Sequence, residues 1–123
     1  MTDTISLPAS IAATDAELFG PLEDTGPRAG ADSGTPMTAL RVLHEDGPVN
    51  VGIWECTPGG WSIERRANTE IVRILAGRAR ITDADGAVRE LAPGSVVVLP
   101  RGWSGRWDIT ETVRKLYVTI EGL

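Results

Sequence analysis

The sequence predicts an all-β fold, a single-domain sandwich or barrel of about nine short strands. Two observations carry that reading. Fourteen glycines and eight prolines divide the chain at short, regular intervals. Between them lie short runs rich in Val, Ile, Leu and Trp, with almost no helical periodicity after residue 37. At 123 residues the chain buries one good core and little more, so a second domain is not expected.

Residues 1–36 read as a largely irregular arm, because Pro8, Gly20, Pro21, Gly26, Pro27, Gly30, Gly34 and Pro36 discourage long regular elements. Within it, Thr14-Asp15-Ala16-Glu17 fits a capping box for one short helical turn, anchored by Leu18 and Phe19 and stopped by Gly20-Pro21. Such an arm wraps its own domain or exchanges between subunits. Residues 37–123 form the barrel. Thr38 to His44 is a strand that ends in the turn Glu45-Asp46-Gly47-Pro48. In Val49 to Thr57, Val49, Val51 and Ile53 share one face, with Trp54 and Cys56 on the other. Pro58-Gly59-Gly60 closes that strand, and Trp61 to Arg66 and Glu70 to Leu75 follow across Ala67-Asn68-Thr69. Arg78 to Thr82 and Val88 to Leu91 flank Asp83-Ala84-Asp85-Gly86, where Asp-Gly tolerates the positive φ of a tight hairpin. Pro93-Gly94 introduces the apolar strand Ser95 to Leu99, Pro100-Arg101-Gly102 ends it, and Gly105 to Thr110 and Arg114 to Glu121 complete the sheet.

The net charge of −5 and pI near 4.8 exclude a nucleic-acid binder, which needs a basic patch to neutralise phosphates. No apolar run approaches the roughly 18 residues of a membrane span, and no basic segment precedes an apolar core near the start. The expectation is a cytoplasmic protein without membrane contact. Cys56 is the single cysteine, so no internal disulfide forms.

Two motifs stand out. Glu70 and Gly77 are separated by six residues, within the run Glu64-Arg65-Arg66 to Ala76-Gly77. Gly94 leads through Ser95-Val96-Val97-Val98-Leu99 to Pro100, Arg101 and Gly102. The pair resembles the signatures of the cupin superfamily. Val51-Gly52-Ile53-Trp54-Glu55-Cys56-Thr57-Pro58-Gly59 and the stretch from Gly105 to Val118 are similar to the branch that includes ureidoglycine aminohydrolase and the ethanolamine-utilisation cupin. The resemblance implies a jelly-roll β-barrel and, commonly, a homodimer with an apolar interface. The aminohydrolase of that branch holds a divalent metal through His, Glu and Gln. Here the four matching positions are Glu64, Arg66, Glu70 and Gly105, the sole histidine is His44, and there is no glutamine. Arginine donates no lone pair. No cofactor and no metal ligand is therefore expected.

If the strand holds its parity, Glu64 and Arg66 point inward together, and the motif brings Glu70 to the same pocket. Three uses of that trio stay open. The guanidinium replaces the cation and ties both carboxylates into a structural network. Alternatively, Arg66 grips a substrate carboxylate or enolate while Glu70 or Glu64 moves a proton, the pKa of a desolvated carboxylate being raised toward neutrality. The third use is an atypical divalent-metal enzyme resembling ureidoglycine aminohydrolase, with Glu64 and Glu70 as ligands. Trp61, Trp103 and Trp107 line a ligand mouth or fill the core, and Gly105 leaves room for Trp107, Lys115 or a ligand. Lys115 and Tyr117 share a strand face and are candidate contacts to an anion. Cys56 is a pocket-side thiol, and His44 lies at a strand end. The reading is a metal-independent small-molecule pocket with acid/base chemistry of the isomerase, lyase, cyclase or hydrolase type. Its alternative is a non-catalytic cupin that binds a metabolite or serves structure.

Overall fold

The structure, a computed structural model, describes residues 7–123. One short helix and nine strands follow in order: α1 (Asp15–Leu18), β1 (Glu23–Pro27), β2 (Ala31–Gly34), β3 (Met37–Asp46), β4 (Val49–Cys56), β5 (Gly59–Ile63), β6 (Asn68–Asp83), β7 (Val88–Leu91), β8 (Val96–Leu99) and β9 (Gly105–Glu121). Every pairing is antiparallel. On one edge, β9 carries β4 along Val113–Ile120 and β5 along Gly105–Ile109. On its other edge it pairs with β6 from Asn68↔Glu121 to Asp83↔Gly105. One long strand thus binds both halves of a curled sheet, and the β-barrel follows from that closure.

Two pairs of expected strands are continuous. Glu70 to Leu75 and Arg78 to Thr82 both belong to β6, and the last two expected strands both belong to β9. The reason is a set of register shifts between Ile74 and Ala79. Glu70, Val72 and Ile74 are buried before the shifts and Ala79 and Ile81 after them, so the inward parity changes from even to odd. Gly77 sits in the shifted segment at φ +82, against the carbonyl of Thr112.

Residues 1–6 of the arm lie outside the described residues; over residues 7–36 the arm is less irregular than its composition suggests. β1 pairs with β3 and β2 with β5, which brings residues 23–34 into the sheet through contacts far apart in sequence. The capping box forms as expected: the Thr14 hydroxyl accepts from the Glu17 amide, and Glu17 answers the Thr14 amide. Arg114 then fastens the helix to the outside of the barrel. Its Nη1 donates to the carbonyls of Leu18 at 3.1 Å and Gly20 at 2.7 Å, while Nε and Nη2 bond Glu55 at 3.0 and 2.9 Å. The Leu18 carbonyl is one that the helix end leaves without a partner, and that of Gly20 follows the C-cap Phe19. Arg114→Ala is expected to cost about 2 kcal/mol and to raise amide hydrogen exchange over residues 14–20 selectively. Unchanged exchange there would contradict the tether.

Inside the barrel, Cys56, Val72, Ile74, Ile81, Leu99 and Val113 form the heart of the core. Trp61 and Trp107 belong to the same core and also line a cavity beside it that holds several polar side chains. No helix among the described residues is long and apolar enough to cross a membrane.

Candidate functional site

Strand parity builds the cavity. From β9, the odd residues Trp107, Lys115, Tyr117 and Thr119 face inward. From β4 come Asn50 and Trp54, from β5 Trp61 and Ile63, from β3 Leu40, and from the start of β6 Glu70. Arg66 joins from the β5–β6 connection and Arg28 from the β1–β2 turn. The space they enclose is about 310 Å³. A site of that size lies at the lower end of ordinary small-molecule pockets.

Three indoles form its wall. Trp61 and Trp107 stack with centroids 6.4 Å apart and planes at 15°, and Trp54 meets Trp61 edge-on at 6.0 Å. Gly52 lacks the side chain that would collide with the Tyr117 phenol, so the phenol lies flat across β4, its hydroxyl 3.4 Å from Asn50 Oδ1.

At the floor Glu70 meets two cations. Lys115 Nζ donates to both of its oxygens, at 3.2 and 3.4 Å, and Arg66 Nη2 lies 3.5 Å from Oε1. Lys115 is held between Trp54 and Trp107, with Nζ 4.5 and 4.9 Å from their ring centroids. Glu70 is 5% exposed and Lys115 7%, so this ion pair is screened little by solvent. Desolvation holds the Lys115 ammonium below the ordinary lysine range, opposed by the attraction of Glu70. Burial raises the Tyr117 phenol, and Glu70 and Glu45 push it in the same direction.

The Arg66 Nη2 also donates to Asn68 Oδ1 at 3.0 Å, and its backbone is clamped by Trp103 and Gly102 at 2.9 and 2.7 Å. Its Nε and the indole Nε1 of Trp61 are buried without an acceptor among the described residues. At the rim the Arg28 guanidinium stacks on Trp61, 4.8 Å from the ring centroid. Arg28, Arg66 and Lys115 thus face one carboxylate, an excess of positive charge within a protein whose net charge is −5.

Among the expected site residues, the structure brings together Glu70, Arg66, Trp61, Trp107, Lys115 and Tyr117. Glu64 is the exception. β5 ends at Ile63, and the connection turns through Arg65 at φ +49, so strand parity does not extend to Glu64, which is exposed outside the cavity. Cys56 is on the expected inner face but fully buried in the core, and burial pushes its thiol up to about 11. A thiol that stays protonated at neutral pH is a poor nucleophile. Trp103 packs over Gly105 and donates to Asp83 at 2.9 Å, which takes the room left by the missing side chain. His44 is half-buried on the outside of β3, in a groove beside Ile11 and Ala13.

Arg28 and Trp54 were missed as site residues. Trp54 had a signal, since it shares parity with Cys56. Arg28 had none, because its position depends on the pairings of β1 and β2. Nor does the donor set fit the divalent metal that the resemblance implies. Among the described residues, Glu70 is the only carboxylate lining the cavity, two cations already hold it, and no group of three or more His, Cys, Asp and Glu side chains could hold a metal ion.

Solved structures share the fold. One is a protein of unknown function of the DUF861 family from Pseudomonas syringae pv. tomato (23% identity, TM-score 0.76), covering 83% of this chain and 45% of that one. This chain therefore spans less than half of that relative. The putative ethanolamine utilization protein Q of Salmonella typhimurium aligns at 21% identity and TM-score 0.65, over 80% of this chain and 79% of that one. The polyketide cyclase RemF from Streptomyces resistomycificus aligns at 19% identity and TM-score 0.64, over 93% of this chain and 80% of that one. No curated protein matches the sequence. The family model for the EutQ-like cupin domain matches residues 43–117, which hold nine of the twelve residues lining the cavity, and the chain belongs to that family.

Proposed function

We propose that the barrel cavity binds a small organic anion with a flat ring, without a transition metal, and that Glu70 moves a proton on it. The observation that carries this reading is the charge of the cavity: three cations face one carboxylate inside walls of indole and phenol. Aromatic faces stack a ring, and the buried donors Arg66 Nε and Trp61 Nε1 lack the acceptors that a carboxylate or enolate oxygen supplies. A cavity of roughly 150 Å³ already holds benzene. The space here, about 310 Å³, suits a one-ring acid with a short side chain.

The test is a calorimetric titration with benzoate, phenylacetate and phenylpyruvate beside their neutral amides. The acids are expected to bind at least about tenfold tighter than the amides, since a hydrogen bond to a charged group contributes roughly 1.5 to 3 kcal/mol. Arg28→Met is expected to weaken the acids about tenfold and to leave the amides unchanged. Equal affinity for acid and amide would sink the proposal.

The engagement of both Glu70 oxygens by Lys115 and Arg66 favours a second reading, binding without catalysis. Hydrogen–deuterium exchange at the carbon beside the keto group of phenylpyruvate separates the two. Acid/base work predicts exchange that the protein accelerates and that Glu70→Gln abolishes, whereas a binder leaves the rate at that of buffer.

A further inference from the structure

Lys115 is the single lysine of the chain; the other eleven of its twelve basic residues are arginines. Lysine is ordinarily a surface residue. Here the only one is buried at the floor of the cavity, between two indoles, with its ammonium on Glu70 and a second cation, Arg66, on the same carboxylate. Arginine would supply charge, ion pairing and stacking equally well. What lysine adds is an amine that becomes nucleophilic once it loses a proton.

We propose that Lys115 captures the carbonyl of a small oxo acid as an imine, with the acid's carboxylate on Arg66 and Arg28 and its ring among Trp54, Trp61 and Trp107. This rests on the anion-binding reading and names its substrate class, an aryl or short-chain 2-oxo acid. Glu70 Oε2, 3.2 Å from Nζ, takes the first proton and leaves a neutral amine. The nitrogen lone pair forms the N–C bond while the C=O π pair moves to oxygen, which Glu70 protonates. Glu70 then removes a second proton from nitrogen and passes it to the hydroxyl. The C–O bond breaks, water leaves, and the nitrogen lone pair closes the C=N bond. The balance is ammonium plus ketone to iminium plus water, and it needs no oxidant or metal. Burial and a neighbouring cation are the conditions that activate imine-forming lysines, and the lowered affinity of the buried Lys115 for its proton agrees.

The experiment incubates the full chain with phenylglyoxylate and sodium cyanoborohydride, followed by intact-mass and peptide analysis. Binding is read separately through tryptophan fluorescence. The expected result is one near-stoichiometric adduct on Lys115, heavier by the acid less one oxygen, at least tenfold reduced by competing benzoate and absent in Lys115→Arg. Binding of phenylglyoxylate without an adduct, or an adduct confined to the terminal amine, overturns the imine and leaves the anion site intact. No binding of either acid overturns both. Benzoate competition is measured on the unmodified chain, so the outcome does not depend on the variant folding.

Discussion

Replacing Glu70 with glutamine is expected to cost about 3 to 5 kcal/mol of stability at neutral pH, as is usual when one partner of a buried ion pair is removed. The variant keeps Lys115 at the floor of the barrel with its charge unanswered. The loss should depend on pH in a definite direction. Lysine in the unfolded chain titrates near 10.4, and in the folded protein Lys115 lies below that, chiefly through desolvation. Between the two values the unfolded state binds more protons, so stability rises with pH. Glu70 opposes the depression; without it the folded-state value falls further and the window of rising stability widens downward. Urea unfolding from neutral pH to about pH 10 should therefore show the penalty shrinking as pH rises. A loss below about 1 kcal/mol at every pH would contradict the buried pair. The double variant Glu70→Leu with Lys115→Met is expected to recover much of the loss, because two apolar groups leave no orphaned charge.

Gly77→Ala should be the most damaging change outside the cavity. The residue sits at φ +82, and a Cβ there would collide with the Thr112 carbonyl, which belongs to the backbone of β9 and has little freedom to move. Left-handed strain costs an alanine about 1 to 2 kcal/mol, and forced displacement of packed neighbours adds about as much again. A loss of about 3 kcal/mol and a Tm lowered by about 10 °C follow. Gly86→Ala is the comparison: its φ is +90, but no atom lies within 4 Å of the added carbon. It should cost about 1 kcal/mol, the strain alone. Equal losses at the two positions would show that the contact between β6 and β9 at Gly77 is not close.

Gly77 also marks where the sequence became hard to read. Each half of β6 alternates cleanly, so the strands at Glu70 to Leu75 and Arg78 to Thr82 were legible. Their continuity was not, because the register shifts between Ile74 and Ala79 reverse the inward parity and imitate a strand break. On β9, Lys115 and Tyr117 were legible as one strand face and Trp107 by its parity with Gly105, but their union in one inner face was not, because the two segments read as separate strands. Glu64 misled because parity was carried past Ile63 into a turn.

The Glu70–Lys115 pair shows a different limit. Glu70 is opposite Thr119 and Lys115 opposite Ile74, so they are not direct cross-strand partners, and only the long lysine stem reaching along the barrel closes the gap. One of the three open uses of the trio put the Arg66 guanidinium in the metal's place; in the structure the nearer cation to Glu70 is the Lys115 ammonium, with Arg66 as its companion. Arg28 reaches the rim through the pairings of β1 and β2, which composition alone hid behind glycine and proline.

We propose that the charged, indole-walled cavity is a binding site for small organic anions. Crystals soaked with 4-bromobenzoate test it most directly, because anomalous scattering locates the bromine without interpretation of the ring. The expected result is a bromine inside the barrel beside Trp61 and Trp107, with the carboxylate on Arg66. Bromine only on the outer surface, with the cavity residues unchanged at saturating ligand, would contradict it.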